Sequence, residues 1–84
     1  VEEVSPNNFK VVVNQGSTTE HHVIANKDFL NQFTKYNISP ENIVKHSFEF
    51  LLDREPNTSI LRKFDINVIS NYFPEYTETV KEYF

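Results

Sequence analysis

From Pro40 to Arg54 the sequence reads PENIVKHSFEFLLDR, and the spread of its apolar side chains limits what the rest of the chain can be. At about 100° per residue, Ile43, Val44, Phe48, Phe50, Leu51 and Leu52 cover more than half of a helix circumference. Only Lys45, His46, Glu49 and Asp53 are left as a polar strip. A helix lying on a surface needs a single apolar stripe, so this one belongs at the centre of the core. Its start is well marked. Ser39 caps it, Pro40 takes the first helical position, Glu41 favours the positive end of the helix dipole, and Ile38 can pack on Ile43 across the cap. Pro56 ends it.

The segments on either side must cover this helix. Residues 1–8 are polar, carry Pro6 and read as a flexible leader. Phe9–Val13 is rich in β-branched residues and predicts a strand. Gly16, the only glycine in the chain, predicts a hairpin turn, and Thr19–Ala25 the returning strand. That strand sends His21, Val23 and Ala25 to one face and Glu20, His22 and Ile24 to the other. Asn26 caps a helix to Tyr36 with Phe29, Leu30, Phe33 and Tyr36 as its stripe, and Asn37 suits its exit. Beyond Pro56, Asn57-Thr58 predicts a short helix holding Ile60, Leu61 and Phe64. Asp65 predicts another with Ile66, Ile69 and Tyr72 or Phe73 inward, and Pro74 a last one with Tyr76, Val80 and Tyr83 or Phe84 on one face. The expected architecture is α+β. An N-terminal β-hairpin packs on a small layer of two principal helices and two or three short C-terminal ones, forming one domain over residues 9–84. Its expected core is Phe29, Phe33, Ile43, Val44, Phe48, Leu51, Leu52, Ile60, Leu61, Phe64 and Ile69.

Composition narrows function mainly by exclusion. A chain of 84 residues buries a modest share of its surface, and eight Phe and four Tyr supply most of what it can bury. The net charge of −4 and the lack of any Lys/Arg run disfavour a nucleic-acid-coating role, which draws its affinity from phosphate neutralisation. No apolar run approaches the ~20 residues of a membrane span. No cysteine is present, so disulfides, thiolate metal sites and thiol nucleophiles are excluded, and a reducing cytoplasm is compatible with the chain. The chain opens on Val1 and contains no Met, as expected of a processed chain or a fragment.

Side chains that could carry chemistry do not assemble into a recognisable pattern. His21 and His22 are adjacent on a strand and point to opposite faces. His46 reaches Glu49 and Asp53 along a helix, but no second His stands four residues away, so solvated side chains are the better reading than a metal site. Glu49, Asp53 and Glu55 lie beside Lys45 and Arg54 and read as an ion-paired face. With one glycine there is no loop to cradle a phosphate. No catalytic, cofactor or metal residue is assigned, and an enzyme is disfavoured. The aromatic C-terminus exceeds what so small a core can enclose. Tyr72, Phe73, Tyr76, Tyr83 and Phe84 are therefore the candidate partner-binding residues.

Two resemblances follow from the residues. Phe50-Leu51-Leu52, Arg54-Glu55-Pro56, Ser59-Ile60-Leu61, Phe64-Asp65, Ile69 and Tyr72–Tyr76 resemble a pattern in a family of small uncharacterised bacterial proteins; that resemblance implies no particular activity. The order of elements from Thr19 to Asp53 resembles the ribbon-helix-helix proteins, DNA-binding regulators and antitoxins whose strands pair across a dimer. In this chain the strand carries no Lys or Arg, and Glu41 stands where phosphate would be gripped. The expectation is a small acidic bacterial, cytoplasmic module that is not an enzyme and binds another protein or itself; the alternative is a ribbon-helix-helix-like regulator. No cofactor, membrane or small-molecule substrate is expected.

Overall fold

The computed structural model describes residues 1–82. It is an α+β fold with a four-stranded sheet, β1 (Glu2–Ser5), β2 (Asn8–Gln15), β3 (Ser17–Ile24) and β4 (Lys63–Asp65), in the spatial order β1-β2-β3-β4. Four helices accompany it: α1 (Lys27–Asn31), α2 (Pro40–Leu52), α3 (Val68–Tyr72) and α4 (Tyr76–Lys81). Among the described residues no helix is long and apolar enough to cross a membrane.

The hairpin forms where the sequence placed it. β2 and β3 pair antiparallel, with Gly16 at the tip at φ +80°, a conformation that a Cβ would strain. Alternation then sorts the faces. Phe9, Val11, Val13, Thr19, His21 and Val23 point inward, while Val12, Glu20, His22 and Ile24 point outward. Lys10 and Glu20 pair diagonally on the outer face at 3.6 Å.

The inner face of the sheet receives α2, capped by Ser39, whose hydroxyl accepts the Asn42 N–H at 3.3 Å. Phe48 lies 5.3 Å from the His21 ring and 6.1 Å from the Phe64 ring, so it faces the sheet. Phe50, two residues on and about 200° around the helix, meets Tyr76 at 5.2 Å and Phe73 at 5.8 Å on the opposite side. The helix is thus covered on two sides, and this is why its apolar arc is so wide.

Several elements differ from the sequence reading. Glu2–Ser5 is not an unordered leader but strand β1, paired antiparallel with β2. The turn that returns it uses Pro6 and Asn7, with Asn7 at φ 67° and its N–H on the Glu3 carboxylate at 3.2 Å. The helix from Asn26 stops at Asn31 and continues as a turn and a 3₁₀ segment, Thr34–Tyr36, closed by Asn37 at φ 54°. Its cap and stripe persist: Asn26 Oδ1 accepts the Phe29 N–H at 2.9 Å, and Phe29 and Phe33 are buried. The largest difference lies beyond Pro56. Instead of a helix holding Ile60, Leu61 and Phe64, a 3₁₀ turn at Asn57–Ser59 leads into β4, which pairs parallel to β3. Phe64 turns inward and Leu61 outward, 50% exposed, so Leu61 leaves the expected core and Leu52 is only half-buried. Spacing alone cannot separate the two readings, because a short apolar run fits either period; the decision is made by β3, distant in sequence.

Replacing Phe48 by Ala removes the ring between His21 and Phe64. It is expected to cost ~3–5 kcal/mol in urea unfolding, whereas Lys45→Ala on the polar strip should change stability by less than ~0.5 kcal/mol. An unchanged midpoint for Phe48→Ala contradicts this packing.

Candidate docking groove

Where α2 ends, the chain builds a groove of about 260 Å³. Its walls are Leu51 in the last turn of α2, Glu55 just beyond that helix, the run from Ser59 to Leu61, Phe64 of β4, Val68, Ile69 and Tyr72 of α3, and Phe73 at the end of α3. All of these side chains lie between Phe50 and Tyr76. Two of them stand well out of the surface, Tyr72 at 69% and Leu61 at 50% exposure. Glu55 is half-buried in the groove, and its carboxylate has no hydrogen bond or ion pair among the described residues.

Three side chains hold the walls in place. The Arg54 guanidinium lies over the Phe50 ring at 3.7 Å and donates to the Phe50 carbonyl at 3.1 Å, with its Nε 3.9 Å from Glu75. Stacked on Phe50 of its own helix, the guanidinium also lies 6.0 Å from the Phe73 ring and so bridges the end of α2 to the segment carrying Phe73; the exposed ion pair with Glu75 adds little. Asn57 is buried, and its amide donates to the Ser17 carbonyl at 2.8 Å, tying the 3₁₀ turn to the hairpin. Pro56 holds the cap position of this turn, so the Asn57 side chain is free to reach the hairpin. His21, fully buried, joins β3 to the groove wall. Its Nδ1 sits 2.7 Å from the Leu61 carbonyl, which only accepts, so Nδ1 carries the proton there. Its Nε2 meets the Thr19 hydroxyl at 2.8 Å.

The candidate contact residues divide. Tyr72 and Phe73 line the groove. Tyr76 does not: it is fully buried, its ring beside Phe50 and Phe29 and its phenol on Ser47. Ser47 donates to the Ile43 carbonyl at 2.8 Å and so accepts the Tyr76 O–H. Tyr83 and Phe84 lie outside the described residues. A clue to Tyr76 was present in the sequence, since Ser47 stands at i+4 from Ile43 and i+3 from Val44, inside the apolar arc. A hydroxyl there needs a buried polar partner.

The other polar candidates stay apart from the groove. His46 Nδ1 contacts Glu49 at 3.1 Å, and His22 contacts Glu20 at 3.0 Å on the outer sheet face. The His22 hydrogen bond, helped by Lys10, holds the Glu20 carboxyl below its ordinary range. No group of three or more His, Cys, Asp and Glu able to hold a metal ion occurs among the described residues. Beyond the hairpin, β1 pairs with Asn8, Phe9 and Lys10 of β2, and β4 pairs with His22, Val23 and Ile24 of β3. Over His22, Val23 and Ile24, the strand that an inter-chain ribbon of the ribbon-helix-helix kind would use is therefore already paired on both sides within its own chain. In comparisons with known proteins, no family model, no curated protein and no solved structure matches the chain.

Burial pushes the Tyr76 phenol far up, against a smaller opposing effect of the Ser47 hydrogen bond. The unfolded phenol ionises first as alkali is added. The stability from this burial is complete below about pH 10 and is lost progressively as pH rises further. Unfolding free energies between neutral pH and pH 11 should therefore fall more steeply for the native chain than for Tyr76→Phe. Equal slopes contradict the burial of this hydroxyl.

Proposed function

We propose that the chain is a non-enzymatic protein-interaction module whose contact surface is the groove between the end of α2 and α3. The observation that carries this is the grouping of apolar and aromatic side chains around one concave place, with Tyr72 and Leu61 standing out beside half-buried Val68 and Phe73. Exposed apolar residues scattered singly need no explanation, but a contiguous group around a groove marks a contact site. Aromatic anchors in a pocket carry most of the energy in protein interfaces.

The partner that fits is a segment presenting an apolar side chain next to a Lys or Arg. The apolar group fills the space over Phe64 and Ile69, and the cation meets the Glu55 carboxylate, which has no partner among the described residues. The resemblance of Phe50–Tyr76 to small bacterial proteins supports a module working in a bacterial cytoplasm, and a chain without cysteine is compatible with that compartment.

Selection of a displayed random-peptide library on the immobilised chain tests the reading. Enriched peptides are expected to pair a large apolar residue with Lys or Arg. They should lose at least ~10-fold in affinity, about 1.4 kcal/mol, on Leu61→Asp/Tyr72→Asp and on Glu55→Gln, and bind Val12→Asp, altered on the outer sheet face, unchanged. All these positions are exposed or half-buried, so the fold should persist. No enrichment, or equal binding to the groove variants, overturns the proposal.

A further inference from the structure

The sheet ends in two edges of different character. β1 offers Glu2 and Glu3, and like charges on an edge discourage pairing with another strand. β4 offers Lys63, Phe64 and Asp65, charges of opposite sign around one apolar residue. Its hydrogen-bonding direction follows from its register on β3. The His22 N–H donates to the Arg62 carbonyl at 2.7 Å, and the Ile66 N–H donates to the Ile24 carbonyl at 2.8 Å. The peptide groups of Arg62, Phe64 and Ile66 therefore face β3, and by alternation those of Lys63 and Asp65 face away from the sheet. Among the described residues no backbone bond reaches Lys63 or Asp65 from another segment, and no ion pair engages the exposed Lys63 ammonium.

We propose that this edge pairs with the same edge of a second copy of the chain. Two β4 strands laid antiparallel about a two-fold axis at Phe64 bring Lys63 of one copy opposite Asp65 of the other, twice. The register suits both the backbone and the side chains. Lys63 and Asp65 are the residues whose N–H and C=O point outward, and an antiparallel pair of such residues exchanges both of its hydrogen bonds. Their side chains share the outer face and meet as opposite charges, which favours this alignment over neighbouring ones. A two-fold contact of one surface with itself closes on the dimer, so the assembly does not grow into a fibre. The result joins two four-stranded sheets into one. This contact uses the strand edge, and the groove proposal concerns side-chain docking, so either can fail alone.

Sedimentation of the full chain over micromolar to millimolar concentrations gives the test. The native chain is expected to show a monomer–dimer equilibrium. Lys63→Glu and Asp65→Lys, each checked for an unchanged melting transition, are expected to dimerise at least tenfold more weakly, because each sets like charges opposite one another. An equimolar mixture of the two variants should recover the native dimer, since in the mixed pair both contacts again unite opposite charges. Lys63→Pro removes an outward N–H without touching the bonds to β3, and it should also weaken the dimer. The proposal is overturned by a native chain that stays monomeric throughout. It is equally overturned by a dimer that Lys63→Glu and Lys63→Pro leave intact, or by variants that fail to recover on mixing. Should Asp65→Lys disturb the turn to which its carboxylate bonds at Asn67, the two Lys63 variants still decide.

Discussion

The fold depends on burying α2 from two sides at once. Phe48 faces the sheet, where it meets His21 and Phe64, and Phe50 faces the C-terminal helices, where it meets Tyr76 and Phe73. A chain of 84 residues has little interior to spend on stability, and a helix with one wet side would waste half of this one. The sheet alone cannot cover both sides, so the segment after Pro56 must return to the sheet as β4 and then close over the far side of α2 as α3 and α4. The parallel pairing of β3 with β4 follows from the same need, since a parallel neighbour requires a long crossover, and α1 and α2 supply it.

The polar groups that this arrangement buries are each matched. Ser47 passes the Tyr76 hydroxyl on to the Ile43 carbonyl, Asn57 serves the hairpin carbonyl of Ser17, and His21 bridges Thr19 and Leu61. An unmatched donor or acceptor in such places costs about 1–3 kcal/mol, enough to matter to a small domain. These bonds also join segments distant in sequence. They fix where the Asn57–Leu61 run lies, and with it the wall of the groove. The groove is therefore a consequence of closure: where α2 runs out, no further element among the described residues covers Leu61 and Tyr72.

The parts that were legible in the sequence are those with local causes. Gly16 marked the hairpin, Asn26 and Ser39 marked helix starts, and the alternation from Thr19 to Ala25 gave the correct faces. β1 and β4 were not legible, because short strands are decided by their neighbours and their own residues fit other states. The error at β4 carried over into the site. A helix from Asn57 to Phe64 would have buried Leu61, whereas the strand turns it outward and makes the groove apolar. Tyr72 and Phe73 were legible as surplus aromatics, while Tyr76 was misplaced because its partner Ser47 was read only as part of a helix. Glu55 was read as one of several solvated acids; its place in the groove depends on the turn that Pro56 and Asn57 make.

The groove and the sheet edge both depend on β4 lying parallel to β3. Nuclear Overhauser contacts between backbone protons of the two segments measure this directly. The account predicts cross-strand contacts aligning His22 with Lys63, Val23 with Phe64 and Ile24 with Asp65, together with strong sequential contacts of extended backbone from Lys63 to Asp65. Helical contacts running from Asn57 through Phe64, with none to β3, would contradict it and return Leu61 to the interior.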